Sequence, residues 1–559
     1  MKRLLGQSAL VVVLSLVALT SIFVGLVPRV SQALTTSTSV CGSISASTTW
    51  TVISSPYQIC NSGLTVGPTA TLTIQPGVVA QFQPGVNSNL YVQGVLNAIG
   101  TAAQPITLTG VVTTPGSWGV IEADYLTITP ALVNLSYVTL EYGGAGSAHA
   151  QLNVDRAIVT MTNSLIRNGS SNGIHFTYQT VGLNVQSSNF VSNSLSAIQI
   201  DAPTMDLALS DLSASQNGTN GVYMVNVSTR VQGQHRWSNP GIPYVINDGI
   251  YNQPGDELAI DPGTVLQFMS NIALDIGGQL KAIGLPDQHI TFTAQSQTPG
   301  GWRGIVIDGG NTNAVAQLDY AAVEYGGGDV GGANVVISGG GLGQLIARHT
   351  SVRYSAKDGL QFNANGTGSI LNSQIVSNSL IVTTTHGVYN GTPTSAVLAT
   401  NDWWGDPNGP RSDIGCGTGQ GDKVTNGVLF QPVLTNTNLT AEFPLSDAPQ
   451  LTLTPRRWFA PADGVSKVYF DLTLRDGNGT PIVGQQIRLH TTRGNITDGG
   501  ITDPSGHALA YIVANNGDVG DANVSATVDG FTGCVGVMSP VAKVTFTAPL
   551  NVTDLFPNS

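Results

Sequence analysis

Hydrophobic and polar positions alternate along this chain in short runs. Stretches such as LNVQSS (183–188) and VNLSYVTLEY (133–142) place apolar residues at every second position, which is typical of a strand with one buried face. The runs end in Asn, Gly or Ser, residues that accept tight turns and left-handed backbone geometry. No segment after residue 34 shows a helical period with caps. The pattern therefore predicts an all-β chain of many short strands.

The strands recur with a period near 24 residues. Four segments (LSYVTLEYGG, MTNSLIRNGS, VQSSNFVSNS and LSDLSASQNG) place Glu141, Arg167, Ser192 and Gln216 in corresponding positions, at steps of 26, 25 and 24 residues. A coil of that length holds about three short strands and three turns. Because no coil can bury its inner face alone, stacked coils must supply the core. The period predicts a parallel β-solenoid.

The chain also contains one long internal duplication. LYVQGVLNAIGTAAQPITLTG (90–110) matches LDIGGQLKAIGLPDQHITFTA (274–294). Trp118 and Trp302 are 184 residues apart, as are Gly94 and Gly278. Each tryptophan follows a Pro-Gly pair and is expected to pack at a coil corner, the alternative being a paired carbohydrate platform. A block of about 184 residues has been duplicated.

Residues from about 40 to 435 resemble the right-handed parallel β-helix proteins of the pectate-lyase-like group. The resemblance is carried by PGxW, by EYGG and by LxIxPGxVxxF, which comprises Leu72, Ile74, Pro76, Gly77, Val79 and Phe82 and recurs at 258–268. It implies a right-handed β-helix of roughly 16 coils and is far more specific for fold than for function.

The texture of the chain changes after AEFPLSDAPQ (441–450). KVYFDLTLRD (467–476) alternates strictly, with Val468, Phe470, Leu472 and Leu474 on one face, as in a β-sandwich. Residues 450–547 resemble the bacterial Ig-like domain group 1 (Big-1) known from invasin and intimin, through Ala462, Asp463, Gly464, Asp476, Gly479, Pro481, Ile482, Gly484, Thr502, Asp503, Gly506 and Ala508. The predicted fold class is all-β, a right-handed parallel β-helix solenoid followed by an Ig-like β-sandwich. In that family the domain acts as a stalk.

The N-terminus predicts export. MKR supplies a positive start, an uncharged apolar run follows, and Ser31 and Ala33 suit cleavage before Leu34. An uncleaved anchor is the alternative, because the apolar run is long for a signal peptide. The predicted domains are a signal peptide at 1–33, an N-terminal cap at 34–66, the β-helix at 67–440, the Big-1 domain at 448–549 and a tail at 550–559.

The four cysteines are predicted to be structural. Export permits disulfides, and Cys41 and Cys60 are close enough in sequence to staple the start of the exported domain. Cys416 and Cys534 have no obvious partner except each other, and their pairing stays open. The spacings fit no zinc or haem pattern.

NDWWGDPNGP (401–410) concentrates aromatic and polar residues in a chain that is only 10% charged. It resembles the terminal coil of bacterial β-helix proteins and is interpreted as part of a C-terminal cap at 401–435. The last coil leaves core and strand edges open, which indole rings can cover and prolines can close to further pairing. The cap candidates are Trp403, Trp404, Pro407 and Pro410; a metal-assisted cap or a ligand platform is the alternative.

Charge and motifs narrow the function. The net charge is −12 with only 21 Lys and Arg, and no basic stripe is present, which excludes nucleic acid as a partner. A lyase or hydrolase of this fold needs carboxylates from neighbouring coils, around calcium or about 5–9.5 Å apart. Asp201, Asp206 and Asp211 are the first candidates if the protein is an enzyme. Solvated turns explain these acids equally well, so no catalytic residue, cofactor or metal is predicted, although calcium in the turns stays open.

The predicted function is a secreted or cell-surface, adhesin-like scaffold that binds glycans or other surface proteins through its β-helix without catalysis. The alternatives are a polysaccharide lyase or glycoside hydrolase, and a purely structural surface-layer or matrix component. No membrane span is expected once the signal is cleaved. An acid cluster from adjacent coils beside an open groove favours the enzyme, whereas scattered acids favour binding or structure.

Overall fold

The computed structural model describes residues 37–124, 129–146, 149–201, 205–225, 230–308, 310, 313–328, 332–338, 343–363, 366–378, 385–392, 397–412, 419–431, 433–437, 450–475, 479–497, 499–529, 539 and 542–548. These ranges contain strands, turns and one short 3-10 turn at Val52–Ser54, but no α-helix. The predicted signal peptide (1–33), Cys416, Cys534 and the tail (550–559) lie outside them. The all-β prediction is confirmed.

Strands of successive coils pair in parallel on three faces, and the predicted parallel solenoid is confirmed. Face 1 holds β2 (Thr48–Trp50), β4 (Thr71–Ile74), β7 (Val95–Ile99), β10 (Ala131–Ser136), β13 (Ala157–Thr162), β16 (Gly182–Gln186), β19 (Ala208–Ser210), β22 (Gln234–Trp237), β25 (Glu257–Ile260), β28 (Gln279–Ile283), β31 (Ala314–Asp319), β34 (Gly343–Arg348), β37 (Thr367–Leu371), β40 (Val397–Thr400) and β43 (Val428–Leu429). Face 2 holds β5 (Val79–Phe82), β8 (Ile106–Gly110), β11 (Val138–Glu141), β14 (Leu165–Arg167), β17 (Asn189–Val191), β20 (Ser213–Ser215), β26 (Val265–Phe268), β29 (Ile290–Ala294), β32 (Ala321–Glu324), β35 (Ser351–Arg353) and β38 (Gln374–Val376). Face 3 holds β6 (Leu90–Val92), β9 (Ile121–Ala123), β12 (Ala150–Val154), β15 (Asn172–Phe176), β18 (Ser196–Asp201), β21 (Thr219–Val225), β24 (Ile250–Asn252), β27 (Ala273–Ile276), β30 (Gly304–Asp308), β33 (Ala333–Ser338), β36 (Asp358–Phe362), β39 (Val388–Asn390), β41 (Pro410–Ser412) and β42 (Gly421–Val424).

Three strands join faces 2 and 3 where a block begins. β1 (Thr38–Ile44) and β3 (Tyr57–Val66) run through both faces of the first coil. At the start of the second block, β23 (Tyr244–Ile246) pairs with β21 of face 3 and with β26 of face 2. The ladders of the second block therefore begin displaced by one face.

The solenoid makes about 13 turns between its two end coils, fewer than the roughly 16 that a 24-residue period predicts. The period is not constant, because two coils carry long insertions. β7 and β10 begin 36 residues apart, and β28 and β31 begin 35 residues apart. These are the coils whose loops lead into Trp118 and Trp302.

Left-handed residues mark the coil corners. Between faces 1 and 2 of the first block they are Tyr137, Asn163, Ser187 and Asp211, and between faces 2 and 3 they are Tyr142, Asn168, Ser192 and Gln216. Asn, Asp and Ser tolerate this conformation because a short polar side chain can hydrogen-bond locally. The expected alignment of Glu141 and Arg167 with these corners is wrong by one residue, since both are the last residues of strands.

The two tryptophans of the duplication lie inside the core. Trp118 is fully buried and stacks on Phe82 with ring centroids 3.8 Å apart, and Trp302 stacks on Phe268 at 4.3 Å. A Cβ on Gly143, in EYGG, would lie 2.7 Å from the Trp118 ring, so glycine there makes room for the indole. Because both rings are buried, neither can form the carbohydrate platform considered from the sequence.

The C-terminal domain is a sandwich of two four-stranded sheets. One contains β44 (Gln450–Pro455), β46 (Lys467–Arg475), β48 (Asn495–Ile496) and β49 (His507–Val513), and the other contains β45 (Phe459–Pro461), β47 (Gln486–Thr491), β50 (Gly520–Asp529) and β51 (Ala542–Thr547). Val468, Phe470, Leu472 and Leu474 all point into its core, as their alternation predicts.

Candidate ligand-binding face

A continuous column of polar side chains runs along the outside of face 3 in the first block. Residues directly opposite one another on adjacent strands are, in order, Tyr91, Glu122, Asn153, His175, Gln199 and Tyr223. Parallel strands stack about 4.8 Å apart, so each coil adds one group at that spacing. We call Glu122, Asn153, His175 and Gln199 the polar ladder; a tyrosine bounds it at each end.

Hydrogen bonds link the rungs of the polar ladder. Asn153 Nδ2 donates to Glu122 Oε1 at 2.7 Å, which leaves Asn153 Oδ1 as the acceptor for His175 Nδ1, also at 2.7 Å. His175 Nε2 lies 3.0 Å from Asp201 Oδ2, an ion-pair separation without the alignment of a linear hydrogen bond. Gln199 Nε2 donates to Asp201 Oδ1 at 2.9 Å. The side chains are thereby held in fixed orientations.

A second column, the acid column, lies two residues further along the same strands. It comprises Asp124, Asp155, Thr177 and Asp201. Arg156 joins two of its members, with Nη2 2.8 Å from Asp124 and Nε 3.2 Å from Asp155. Thr177 Oγ1 also donates to Asp155. The acid column is thus cross-linked internally, while the side chains of Asp124 and Arg156 stay 29% and 38% exposed.

Two carboxyl groups of this face have pKa values shifted in opposite directions. Burial raises the pKa of Glu122 and the charges of Asp124 and Asp155 add to this shift, against the opposing hydrogen bond from Asn153. Burial would also raise the pKa of Asp201, but hydrogen bonds from His175 and Gln199 outweigh it and hold that pKa below its usual value. The face therefore combines a carboxyl that retains its proton more readily with one that ionises more readily.

The duplication provides an internal comparison for this face. In the second block the equivalent column is Asp275, Val306, Val336, Gln361 and Tyr389. Valine thus replaces Glu122 and Asn153 at rungs with the same backbone pairing. Asp201 corresponds to Gly391, which follows β39. Since valine satisfies the fold at these rungs, the fold does not require the polar ladder.

Other polar contacts recur in both blocks. Glu141 accepts hydrogen bonds from Arg167 Nε at 2.7 Å and from Thr109 Oγ1 at 3.0 Å. In the second block the same contacts join Glu324 to Arg353 at 2.8 Å and to Thr293 at 3.1 Å. Trp118 and Trp302 Nε1 donate to the carbonyls of these two glutamates at 2.9 and 2.8 Å. These recurring groups belong to the scaffold.

The three aspartates considered from the sequence do not form one site. Asp201 lies on face 3 beside His175. Asp206 precedes face 1, is 72% exposed and accepts the Arg236 backbone N–H at 2.9 Å. Asp211 is an exposed left-handed corner residue between faces 1 and 2. Among these, Asp201 alone belongs to the polar face.

Sequence reasoning missed Glu122, Asp124, Asp155 and His175. Asn153 lies 31 residues after Glu122, but only 22 residues separate it from His175, so a search at a fixed period of 24 does not align them. The usable signal is the alternation within each face 3 strand, because IEA, LNV and IHF each place one polar residue between two apolar ones.

A cleft of about 450 Å³ lies elsewhere, between the second block and the Ig-like domain. The charged groups that line it are paired, Asp256 with Arg230 at 2.5 Å and Asp518 with Arg493. Its two sides belong to different domains, whereas the polar face is built entirely within one block. We therefore favour the polar face as the candidate site.

The structure places the predicted cap residues as follows. Trp404 is fully buried and its ring lies 6.4 Å from that of Phe430, edge to face. Trp403 is half-buried and its backbone bridges to Gln374 of face 2. Pro407 is exposed in a turn, whereas Pro410 is buried at the start of the edge strand β41. Pro410 pairs with Gly421 in the parallel ladder, so strand pairing does not stop there. The capping role stays a prediction.

Asp402, next to these tryptophans, ends a buried ladder of side-chain oxygens. The Thr350 N–H donates to Ser373 Oγ at 3.0 Å, and the Ser373 N–H donates to Asp402 Oδ1 at 2.8 Å. Asp402 Oδ2 is buried without a hydrogen-bond partner. Burial therefore raises the pKa of Asp402 well above its ordinary value, and the one hydrogen bond from Ser373 only partly offsets this.

Replacing Asp402 with serine is expected to stabilise the protein near pH 8 by about 1–2 kcal/mol. Serine is the ladder's own solution, since Ser373 Oγ both accepts an N–H and donates to the Leu371 carbonyl at 2.8 Å. Because the pKa of Asp402 is raised on folding, its contribution is fully present below the unfolded pKa, about 4, and is lost as the pH rises through the folded value. Thermal melts from pH 4 to 8 should show a Tm advantage of the variant that grows with pH. A constant difference would contradict this, and Ser373→Ala is the destabilising control.

Cys41 and Cys60 form a disulfide between β1 and β3, as predicted. Among the residues that the structure describes, His, Cys, Asp and Glu side chains do not gather in threes with a geometry suited to a metal ion. A search of the same residues for a helix long and apolar enough to cross a membrane found none.

Comparison with known proteins identifies the C-terminal domain. Residues 450–547 match the family described as bacterial Ig-like domain (group 1). Similar solved structures are the Yersinia pseudotuberculosis adhesin InvE (26% identity, 18% of this chain, 26% of that chain), the D0-D1 domain of intimin (22%, 19% and 52%) and the D00-D0 domain of intimin (18%, 23% and 58%), each with a TM-score of 0.16.

These similarities are local. The chain spans between about a quarter and three-fifths of the solved structures it matches, and at this TM-score they carry no argument about the whole molecule. No curated protein matches the chain. The chain joins a duplicated parallel β-solenoid to a C-terminal bacterial Ig-like domain of group 1.

Proposed function

We propose that this protein is an exported, adhesin-like scaffold that binds carbohydrate without cleaving it, through the polar ladder of its first block. The observation that carries the proposal is the difference between the two blocks. Both build the same rungs, but only the first places Glu122, Asn153 and His175 on them, where the second has Val306, Val336 and Gln361. Polar groups that the fold does not require are best explained by a ligand.

The chemistry of the face suits sugar hydroxyls. Carboxylate and amide groups supply acceptors and donors in fixed positions, and aromatic rings stack on the apolar face of a sugar. Tyr91 is 39% exposed beside the Glu122 rung, and Tyr223 is half-exposed beside the Gln199 rung. The face is solvent-accessible along one side of the solenoid, as a surface for an extended ligand must be.

Export and display are the second part of the proposal. The predicted signal peptide at 1–33 and the disulfide between Cys41 and Cys60 both suit an oxidising compartment outside the cytoplasm. A group 1 bacterial Ig-like domain follows the solenoid. We propose that this domain acts as a spacer that presents the solenoid at the cell surface.

The double variant Glu122→Val/Asn153→Val tests the binding site. It gives the first block the residues that the second block already carries, so we expect an unchanged fold and at least tenfold weaker carbohydrate binding, from the loss of two or more hydrogen bonds. Binding of the purified full chain is measured on a glycan array and then by calorimetry on the strongest ligand. The matched control is Val306→Ala/Val336→Ala, which changes the same rungs of the second block and should leave affinity unchanged.

Two results would overturn the proposal. If no glycan is retained by the wild-type chain, the polar ladder is not a carbohydrate site. If the first-block variant binds as tightly as the wild type, a ligand contacts another surface. Unfolding curves of both double variants accompany the assay, so that a loss of binding is not confused with a loss of structure.

A glycoside hydrolase is the second candidate, favoured by the raised pKa of Glu122 near the charges of Asp124 and Asp155. A hydrolase pairs a protonated carboxyl with an ionised one about 5–9.5 Å away. Glu122 and Asp201, whose pKa values diverge most clearly, lie three rungs apart, about 14 Å, which is too far for one reaction centre. Release of reducing ends that is abolished by Glu122→Gln would establish the enzyme and displace the binding scaffold.

A further inference from the structure

We infer that the ligand of the polar ladder is an uncharged, extended polysaccharide lying parallel to the solenoid axis, with successive sugar units on successive coils. This inference rests on the proposed function and adds the orientation, length and charge of the ligand. Three independent features of face 3 carry it: the direction in which polar groups repeat, the charge of the face and the position of the two tyrosines.

The polar groups repeat along the axis and not along the strands. A face 3 strand such as β9 or β15 has only three to five residues, which gives two or three outward positions. Along the axis, by contrast, the column from Tyr91 to Tyr223 continues over six consecutive strands. The rungs are about 4.8 Å apart, a spacing comparable to the rise of one sugar unit in an extended chain. A polysaccharide on the axis meets a fresh polar group at each unit.

The charge of the face disfavours acidic ligands. Glu122, Asp124, Asp155 and Asp201 face one guanidinium, Arg156, and one imidazole, His175. Arg156 is already engaged by two carboxylates, so it does not offer a free cation to a uronate or sulfate. A polyanion would meet like charges on successive rungs, whereas hydroxyl groups can both donate to the carboxylates and accept from the amides.

The tyrosines define the length of the site. Beyond Tyr223 the column continues with Val245, which is buried, and before Tyr91 it begins with Thr65. Four polar rungs are therefore enclosed between two aromatic residues. Six rungs in all can contact a ligand, which sets the number of sugar units that contribute to affinity.

Oligosaccharides of graded length test this inference. Calorimetry on the full chain would use neutral β-1,4-linked oligomers of glucose, mannose and N-acetylglucosamine from two to eight units, with oligogalacturonate and chitosan oligomers beside them. Affinity for the preferred neutral series should rise about two- to tenfold with each added unit up to about six units, the number of rungs from Tyr91 to Tyr223, and then level off. It should change little with salt, because no ionic contact is formed.

Variants at one end of the column measure the same length independently. Tyr223→Ala and Gln199→Ala should each lower the plateau length by one or two units while leaving affinity for the shortest oligomers within about twofold. Gln361→Ala, on the second-block rung equivalent to His175, is the matched control and should leave the whole length series unchanged.

The possible outcomes separate the two levels of the argument. Neutral oligomers that bind with an affinity independent of length overturn the axial arrangement and leave the carbohydrate site in place. Tighter binding of oligogalacturonate, or binding of chitosan alone with strong salt dependence, overturns the uncharged ligand in favour of an ionic one. Failure of every glycan overturns the proposed function together with the inference.

Discussion

Replacing Trp118 with alanine is expected to lower the free energy of unfolding of the solenoid by about 3–5 kcal/mol. The indole is fully buried and stacked 3.8 Å from the Phe82 ring centroid, and its Nε1 donates to the Glu141 carbonyl at 2.9 Å. Alanine would leave a large cavity and an acceptor without its donor. Because each coil packs only on its neighbours, the loss should spread through the first block. Calorimetry on the full chain would record it as a lower Tm of the solenoid transition.

Two further tryptophans serve as comparisons. Trp302→Ala should have a similar cost, because that ring stacks on Phe268 at 4.3 Å and donates to the Glu324 carbonyl at 2.8 Å. Trp458→Ala, on the Ig-like domain, removes a side chain that is 58% exposed and should leave the solenoid transition unchanged. A Trp118→Ala protein that melts like the wild type would show that the packing of this corner contributes little to stability.

Periodicity made most of the fold predictable. Alternating runs, corner residues and the 184-residue duplication follow from the sequence because a parallel stack repeats the same burial and the same turn in every coil. The Ig-like domain was predictable for the same reason, since its long strands alternate strictly. The number of turns was not, because the insertions that lead into Trp118 and Trp302 lengthen two coils and nothing in a mean period reveals them.

The candidate site was predictable only in part. Asp201 was identified for its sequence proximity to Asp206 and Asp211, yet its partners are His175 and Gln199. Those contacts depend on the register between strands that variable loops separate, and register is fixed by the packing of inward side chains and not by sequence distance. The comparison between blocks also needed the structure, because it aligns Asn153 with Val336 by rung.

Replacing Glu141 with alanine is expected to destabilise the first block by about 2–3 kcal/mol without changing the carbohydrate specificity of the protein. The change leaves the buried Thr109 hydroxyl without its acceptor and Arg167 without its carboxylate. The Arg167 side chain is 42% exposed and can turn to water, which keeps the cost below that of breaking a fully buried pair. Urea unfolding followed by tryptophan fluorescence measures the loss, and Glu324→Ala should reproduce it in the second block.

Glu122 gives the opposite expectation, although it is the same residue type in the adjoining coil. Glu141 has a counterpart with the same contacts, Glu324, and so belongs to the scaffold, whereas the counterpart of Glu122 is Val306. Glu122→Val should therefore unfold like the wild type and bind sugar poorly, while Glu141→Ala should unfold earlier and bind normally when folded. If Glu122→Val were as unstable as Glu141→Ala, the polar ladder would be a packing device of the first block, and the difference between blocks would no longer point to a ligand. The pair of variants thus decides whether duplication has separated a binding function from the fold that carries it.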